Sequence, residues 1–422
     1  MVLILKLVES LTIKAARAKH TSIRFIPLRD SGTGTYKCGW CETVVRGRRS
    51  TARTVVTFDN VGDVPGVPEG ITTDGKDGLY VSLFVLDQIW HVNPATGEKK
   101  KVADVPGGDL KGDLIGIERD PTDGTILAAF KRATKVNLFT ADHPDCRDTT
   151  DAATGIYRVN PQTGAVSPFV TRGTGVSLCF PDDIAIDPSG NVYVSDLELG
   201  VIWKFDRAGH GGVWSDDPLL GWTEQTGTWN AGNGTVIGYI GINTVALSPD
   251  GRYLFAGTDG GPGGATGSGL LVRIPIQADG SAGKADLFAA GLGANDGLEV
   301  GPDGTVYFGD TYNSDVWAFS PDGSHRQLIA SRDQFGDPLD NATSLVFLNG
   351  CLYETQLGFF KLQLGKANET LRNVVEICKF GTPAVNGTYT PRPVVETSPP
   401  TPRPPAARAT HPLFSTLGRD RP

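Results

Sequence analysis

The sequence predicts an all-β protein: a six-bladed β-propeller with four-stranded blades, an irregular N-terminal extension and a Pro-rich C-terminal tail. Three observations lead there. Gly 54 and Pro 28 in 422 residues, beside an ordinary 39% apolar content, suit many short strands joined by tight turns. A hairpin pattern recurs along the chain. Most recurrences run on into a third strand and a further turn, so the repeating unit is about four strands long.

Residues 1–52 share nothing with the rest of the chain. "MVLILKLVESLTIKAARAKH" is apolar but broken by Lys6, Glu9 and Lys14, without a clean small-residue cleavage site, so it makes a poor secretory signal. It reads as a poorly ordered extension. The hairpins then begin at Pro68 ("PEGITTDGKDGLYVSL"), Leu114 ("LIGIERDPTDGTILAAF"), Pro181 ("PDDIAIDPSGNVYVSD"), Ile242 ("INTVALSPDGRYLFAGT"), Asn295 ("NDGLEVGPDGTVYFGDT") and Ala342 ("ATSLVFLNGCLYETQ"). Each is a short apolar strand, a turn such as Pro-Asp-Gly, and a strand rich in Tyr, Val and Phe. Third strands come next, as in "GIYRVNPQTGAVSPFV" and "DVWAFSPDGSHRQLIA". The sixth unit lacks an outer strand after "FFKLQLG". "TVVTFD", Thr54–Asp59, is the segment expected to supply it and close the ring. The propeller therefore spans 53–380, and 381–422, with "TPRPVVETSPPTPRPPAARATHP", reads as an extended tail.

Aligned on the second residue of each unit, the repeats give a column: Glu69, Ile115, Asp182, Asn243, Asp296, Thr343. Its steps are 46, 67, 61, 53 and 47 residues by subtraction of those numbers. First strands line a propeller's channel, so the column converges on the axis. Four of its six members carry oxygen ligands suited to hard cations, and three are carboxylates. Any one of them alone reads better as a turn residue that caps its own backbone; four in one register favour a metal. Two carboxylates about 5 Å apart repel by about 3 kcal/mol at an effective dielectric of 20. A divalent cation relieves that cost. An all-oxygen set favours Ca²⁺, with Mg²⁺ or Mn²⁺ behind it, and the lack of His or Cys disfavours Zn²⁺. The residues just beyond the column ("IAI", "VAL", "LEV") suggest an apolar channel below an acidic mouth.

The pattern resembles the regucalcin/gluconolactonase family of six-bladed propellers, and more distantly squid-type phosphotriesterase and paraoxonase. The resemblance covers residues from about 54 to 365. It implies one divalent cation at the channel mouth, held by Glu69 of "PEGI", Asn243 of "INTVALSPDG" and Asp296 of "NDGLEVGPDG". Blade three departs from the family, offering Asp182 in "FPDDIAID" where Asn is usual, while Asp183 matches the next family residue. The resemblance further implies hydrolysis of lactones or related esters, with Asp296 as general base or nucleophile. The cation would polarise the carbonyl or activate water. Two other readings stay open: a non-catalytic extracellular binding module, for which the tail would be a linker, and a strictosidine-synthase-like enzyme with a metal-free pocket.

Other features exclude more than they assign. A net charge of −8 gives no reason to expect nucleic acid, and no apolar run is long enough to span a bilayer. The expected partner is a small lactone or ester, and the expected state a monomer. The lone "KCGWC" lacks the second ligand pair a zinc site needs. Cys146–Cys179 and Cys351–Cys378 pair as disulfides or remain buried thiols. Four sequons, at Asn233, Asn341, Asn368 and Asn386, tilt the expectation toward an exported glycoprotein. The six His have no ligand spacing, no Ser nucleophile elbow occurs, and the Gly-rich stretch 257–269 opens no helix and so cradles no phosphate. Trp222 to Tyr239 reads as a long aromatic loop beside the mouth.

Overall fold

A computed structural model describes residues 51–380, apart from 63, 134–145, 147, 222–228, 231–235, 238–240, 259–268, 312, 332–338, 359–371 and 379, together with four two-residue strands between Thr21 and Val45. The strands between Thr51 and Cys378 include six four-stranded antiparallel sheets. Blade one runs Pro68–Thr73, Leu79–Leu83, Gln88–Val92 and Lys99–Asp104 from channel to rim. Blades two to five repeat that order, with inner strands Gly112–Arg119, Pro181–Ile186, Ile242–Leu247 and Asn295–Val300. The inner strand of blade six is Ala342–Leu348. It packs against the inner strand of blade one, so the ring is closed.

Local chemistry accounts for the hairpins. In "GPDG", Gly304 donates its N–H to the Gly301 carbonyl at 2.8 Å and sits at φ 81°, where only glycine is unstrained. Gly301 N–H then pairs with Thr305 at 2.9 Å, starting the return strand. The core lies between blades rather than along the axis. Between blades one and two, for example, Ile89, Val105, Leu114, Ile126 and Phe130 are fully buried in one cluster. Each such side chain contributes about 1.5–3 kcal/mol.

Blade six is completed as expected by the N-terminal segment. Thr51–Thr57 forms its outer strand, antiparallel to Asn373–Cys378, with Val56 opposite Val374. Arg53 clasps Glu376 through two bonds of 2.8 and 2.9 Å, and Tyr353 Oη donates to the same carboxylate at 2.6 Å. The strand that precedes the closing one is Asn373–Cys378, not "FFKLQLG", which lies outside the described residues. Both proposed disulfides form, with Cα separations of 5.0 Å for Cys146–Cys179 and 4.6 Å for Cys351–Cys378. They fit an oxidising compartment. Among the described residues no cysteine is free, and no helix is long and apolar enough to cross a membrane. Cys38 and Cys41 lie outside the described residues, as do the sequon residues Asn233, Asn368 and Asn386 and the tail. Asn341 is buried and donates Nδ2–H to the Thr311 carbonyl at 2.7 Å, which leaves no room for a glycan there.

Candidate metal centre

The six column residues owe their position to one backbone device. In every blade the pairing between inner and second strand slips at the column residue. In blade one it passes from Pro68↔Leu83 to Ile71↔Val81, and in blade five from Asn295↔Asp310 to Leu298↔Phe308. The same slip occurs at Leu114/Ile117, Pro181/Ile184, Ile242/Thr244 and Ala342/Leu345. Glu69, Ile115, Asp182, Asn243, Asp296 and Thr343 are each the first unpaired residue of such a bulge. A bulge bends the strand and re-aims a side chain, here at the channel mouth.

Hydroxyls opposite the bulges fix them. Ser82 Oγ accepts the Gly70 N–H at 2.7 Å and donates to the Ile115 carbonyl of blade two at 2.6 Å. Ser195 Oγ does the same for Asp183 N–H, at 2.8 Å, and the Asn243 carbonyl, at 2.5 Å. Thr355 accepts the Ser344 N–H at 3.0 Å and donates to the Glu69 carbonyl, which Thr343 also reaches at 3.1 Å. Column backbone is thus tied from blade to blade around much of the ring. In blades four and five the opposing residues are glycines, Gly257 and Gly309; the Asn295 amide fills the space beside Gly257 and donates to the Gly297 and Gly309 carbonyls at 2.9 and 3.2 Å. Asn295 is therefore a structural brace beside Asp296.

The bulges bring the carboxylates together. Oxygens of Glu69, Asp182 and Asp296 all lie within 4.8 Å of one another. Asn243 occupies the equivalent bulge in blade four, equally buried. Asp296 is the most exposed of the four. Glu69 Oε2 is buried without a hydrogen-bond partner. Burial, and then the charges of Asp183 and Asp113, push the Glu69 carboxyl up to about 8. Such a group wants a positive partner, and oxygen-only donors at this spacing fit a hard divalent cation.

Below this ring the channel is not purely apolar, as its sequence suggests. A cavity of about 180 Å³ is lined by Ile71, Ile117, Ile184, Val245, Leu298 and Leu345, but also by Glu118, Asp183 and Glu299. Burial pushes Glu118 up to about 8 and Asp183 up to about 7, and drives Glu299 well above the usual carboxylate range. Two of these acids are clearly braced across blades: Asp183 accepts the Val245 N–H at 2.9 Å, and Glu118 accepts the Thr72 hydroxyl at 2.9 Å. Glu118 and Glu299 come three positions after their column residues, so the repeat register would have found them.

Fold and mouth together define a six-bladed propeller with a clustered carboxylate site where the inner strands begin. Solved structures share that architecture. A gluconolactonase of Xanthomonas campestris aligns at a TM-score of 0.51 with 15% identity, over 80% of this chain and 91% of that one. A calcium-binding regucalcin of Agrobacterium tumefaciens aligns at 0.51 and 14%, over 79% and 95%. A PQQ-bound aldose sugar dehydrogenase of Streptomyces coelicolor also aligns at 0.51, with 17% identity over 79% and 99%, so the architecture serves more than one chemistry. The fold is that of the gluconolactonase and regucalcin propellers, at low sequence identity. No family model matches the chain. A stretch of 148 residues, 34% of the chain, is 28% identical to a UDP-N-acetylmuramate--L-alanine ligase of Mycobacterium ulcerans and spans only 27% of that protein.

Proposed function

We propose that the chain is a metal-dependent hydrolase of lactones or related esters, with one divalent cation, calcium first, held by Glu69, Asp182, Asn243 and Asp296. The observation that carries this reading is the meeting of three carboxylates within 4.8 Å, one with a buried, unbonded oxygen. When bound, the cation would polarise a carbonyl oxygen and lower the pKa of a water. Glu69 and Asp182, sunk in the mouth, serve as ligands. Asn243 adds a neutral oxygen without adding repulsion. Asp296, the most exposed, can face the substrate and act as base toward water or as nucleophile toward the acyl carbon. A small-molecule substrate, a monomeric state and secretion into an extracellular, oxidising setting complete the proposal.

The test is elemental analysis of protein purified in calcium-containing buffer, thermal shift with added calcium, and turnover on a panel of lactones and aryl esters. About one metal per chain, a raised melting temperature and metal-dependent turnover are expected. No stoichiometric metal and no shift would sink the reading.

A further inference from the structure

The ring of column residues is not evenly polar, and its one apolar member sits in an apolar sector. Ile115 of blade two takes the place that oxygen-bearing side chains take in the other five blades. It belongs to a cluster against which Phe84, Val176 and Phe180 pack while remaining partly exposed. The short 3-10 turn Phe84–Leu86 packs against the inner strand of blade two. Asp196 binds Phe180 and Leu199 together: its Oδ1 accepts the Phe180 N–H at 3.1 Å and the Leu199 N–H at 3.2 Å. Leu199 is 41% exposed, and Leu110, on the segment entering blade two's inner strand, 40%. They are two of six exposed large aliphatics among the described residues. Several charged side chains of this sector, Asp87, Asp113, Lys131 and Asp196, are buried, while Asp109 and Lys111 on either side of Leu110 are exposed. Lys131 is fully buried, its ammonium donating to the Cys179 carbonyl at 2.7 Å, and Asp196 is spent on backbone N–H groups. In the opposite sector, blades five and six, where the column carries Asp296 and Thr343, the buried polar residues include Asp310, Thr311, Ser314, Asn341 and Gln356.

We propose that the apolar part of the substrate lies over Ile115, Phe84 and Phe180, so that the site prefers alkyl-substituted lactones and esters over polyhydroxylated ones. This rests on the hydrolase reading above. Among the described residues of the column, a carbonyl anchored among Glu69, Asp182, Asn243 and Asp296 leaves blade two, at Ile115, as the position without a hydrogen-bonding side chain. Hydroxyls laid there would lose their water without a partner, whereas methylenes would gain from burial.

Binding is read separately from catalysis with neutral, hydrolysis-resistant lactams. 6-Pentyl-2-piperidone and glucono-δ-lactam are titrated by calorimetry into the calcium-loaded full chain and into Ile115→Thr. The alkyl lactam should bind at least about tenfold tighter to the wild type, the effect of burying about two methylenes. Ile115→Thr should reduce that ratio. Equal or tighter binding of the polyhydroxylated lactam, or no binding of either, overturns the inference. Turnover of the matching lactones tests the hydrolase reading independently. Alkyl-lactam binding without turnover would sink that reading and keep the apolar sector. Turnover with the reverse preference would do the opposite.

Discussion

Asp296 and Glu69 occupy the same bulge position in different blades, yet loss of charge should affect them differently. Asp296→Asn keeps a ligating carbonyl and removes one of three mutually repelling carboxylates, but it cannot take a proton or attack. Its activity should fall by about 10²–10⁴, and added calcium should not restore it. Glu69→Gln alters a buried ligand, so its activity should recover as calcium is raised. Calcium titrations of lactone turnover for both variants check this; full rescue of Asp296→Asn would reduce Asp296 to a ligand. A second residue matters for stability. Glu354 on the second strand of blade six is fully buried, with Oε2 lacking a partner, where other blades carry Val81, Ala128, Val194 and Phe308. Burial pushes it up to about 8. The folded chain therefore holds this proton up to about pH 8, while the unfolded chain loses it near the ordinary carboxylate pKa. Stability contributed by the protonated form falls as pH rises between those values. Glu354→Gln should flatten that slope and gain about 2–4 kcal/mol near pH 8, measured by denaturant melts at pH 5 and pH 8. Equal gains at both pH values would contradict the assignment.

At the scale of strands, the bulge is what turns sequence register into a site. Gly116 comes after Ile115 in the blade-two bulge, and a Cβ there would lie 2.4 Å from the Asp182 carbonyl oxygen and 2.9 Å from Asp183 Cα. Both are backbone atoms, so relief must move the segment that delivers Asp182. Gly116→Ala should cost about 1–3 kcal/mol and weaken calcium binding as well, whereas a purely structural effect would lower the melting temperature with the calcium affinity unchanged. The hairpins, their turns and the aligned column were legible because each repeats with the same turn chemistry, and repetition turns weak local signals into one strong one. Less legible were features without a repeat behind them. The sixth unit reads through "FFKLQLG" in the sequence, whereas Asn373–Cys378 is the strand that joins the sheet, and no Pro-Asp-Gly turn marks it. Glu354 shares its face of the strand with fully buried Leu352, but a carboxylate in a single strand without a counterpart in the other repeats does not report its burial from sequence. Asn341 looks like an acceptor for sugar because its neighbours fit a triplet, while its amide is committed to the Thr311 carbonyl.

For the whole molecule, the decisive contact joins the two ends of the ring. Thr51–Thr57 supplies the fourth strand of a blade whose other three strands lie some 290 or more positions later in the chain. It covers the edge of Asn373–Cys378 along its length and carries Val55, Val56 and, just beyond, Phe58 into the core shared by blades six and one. Removing residues 1–50 leaves this ladder intact and should change the melting temperature little. Removing residues 1–59 strips three buried apolar side chains, the Arg53–Glu376 pair and a strand of hydrogen bonds. The buried side chains alone are worth about 4.5–9 kcal/mol, comparable to the stability of an ordinary domain. The longer truncation should therefore melt far lower, and its bared strand edge should drive self-association visible by light scattering. Calcium should rescue it only in part, because Glu69 and Asp296 come from blades on either side of the opened one and a loosened ring no longer holds them at a fixed separation. Coincident melting curves for the two truncations, with equal calcium shifts, would mean that the ring is held by its inner strands alone and that the outer strand merely decorates it.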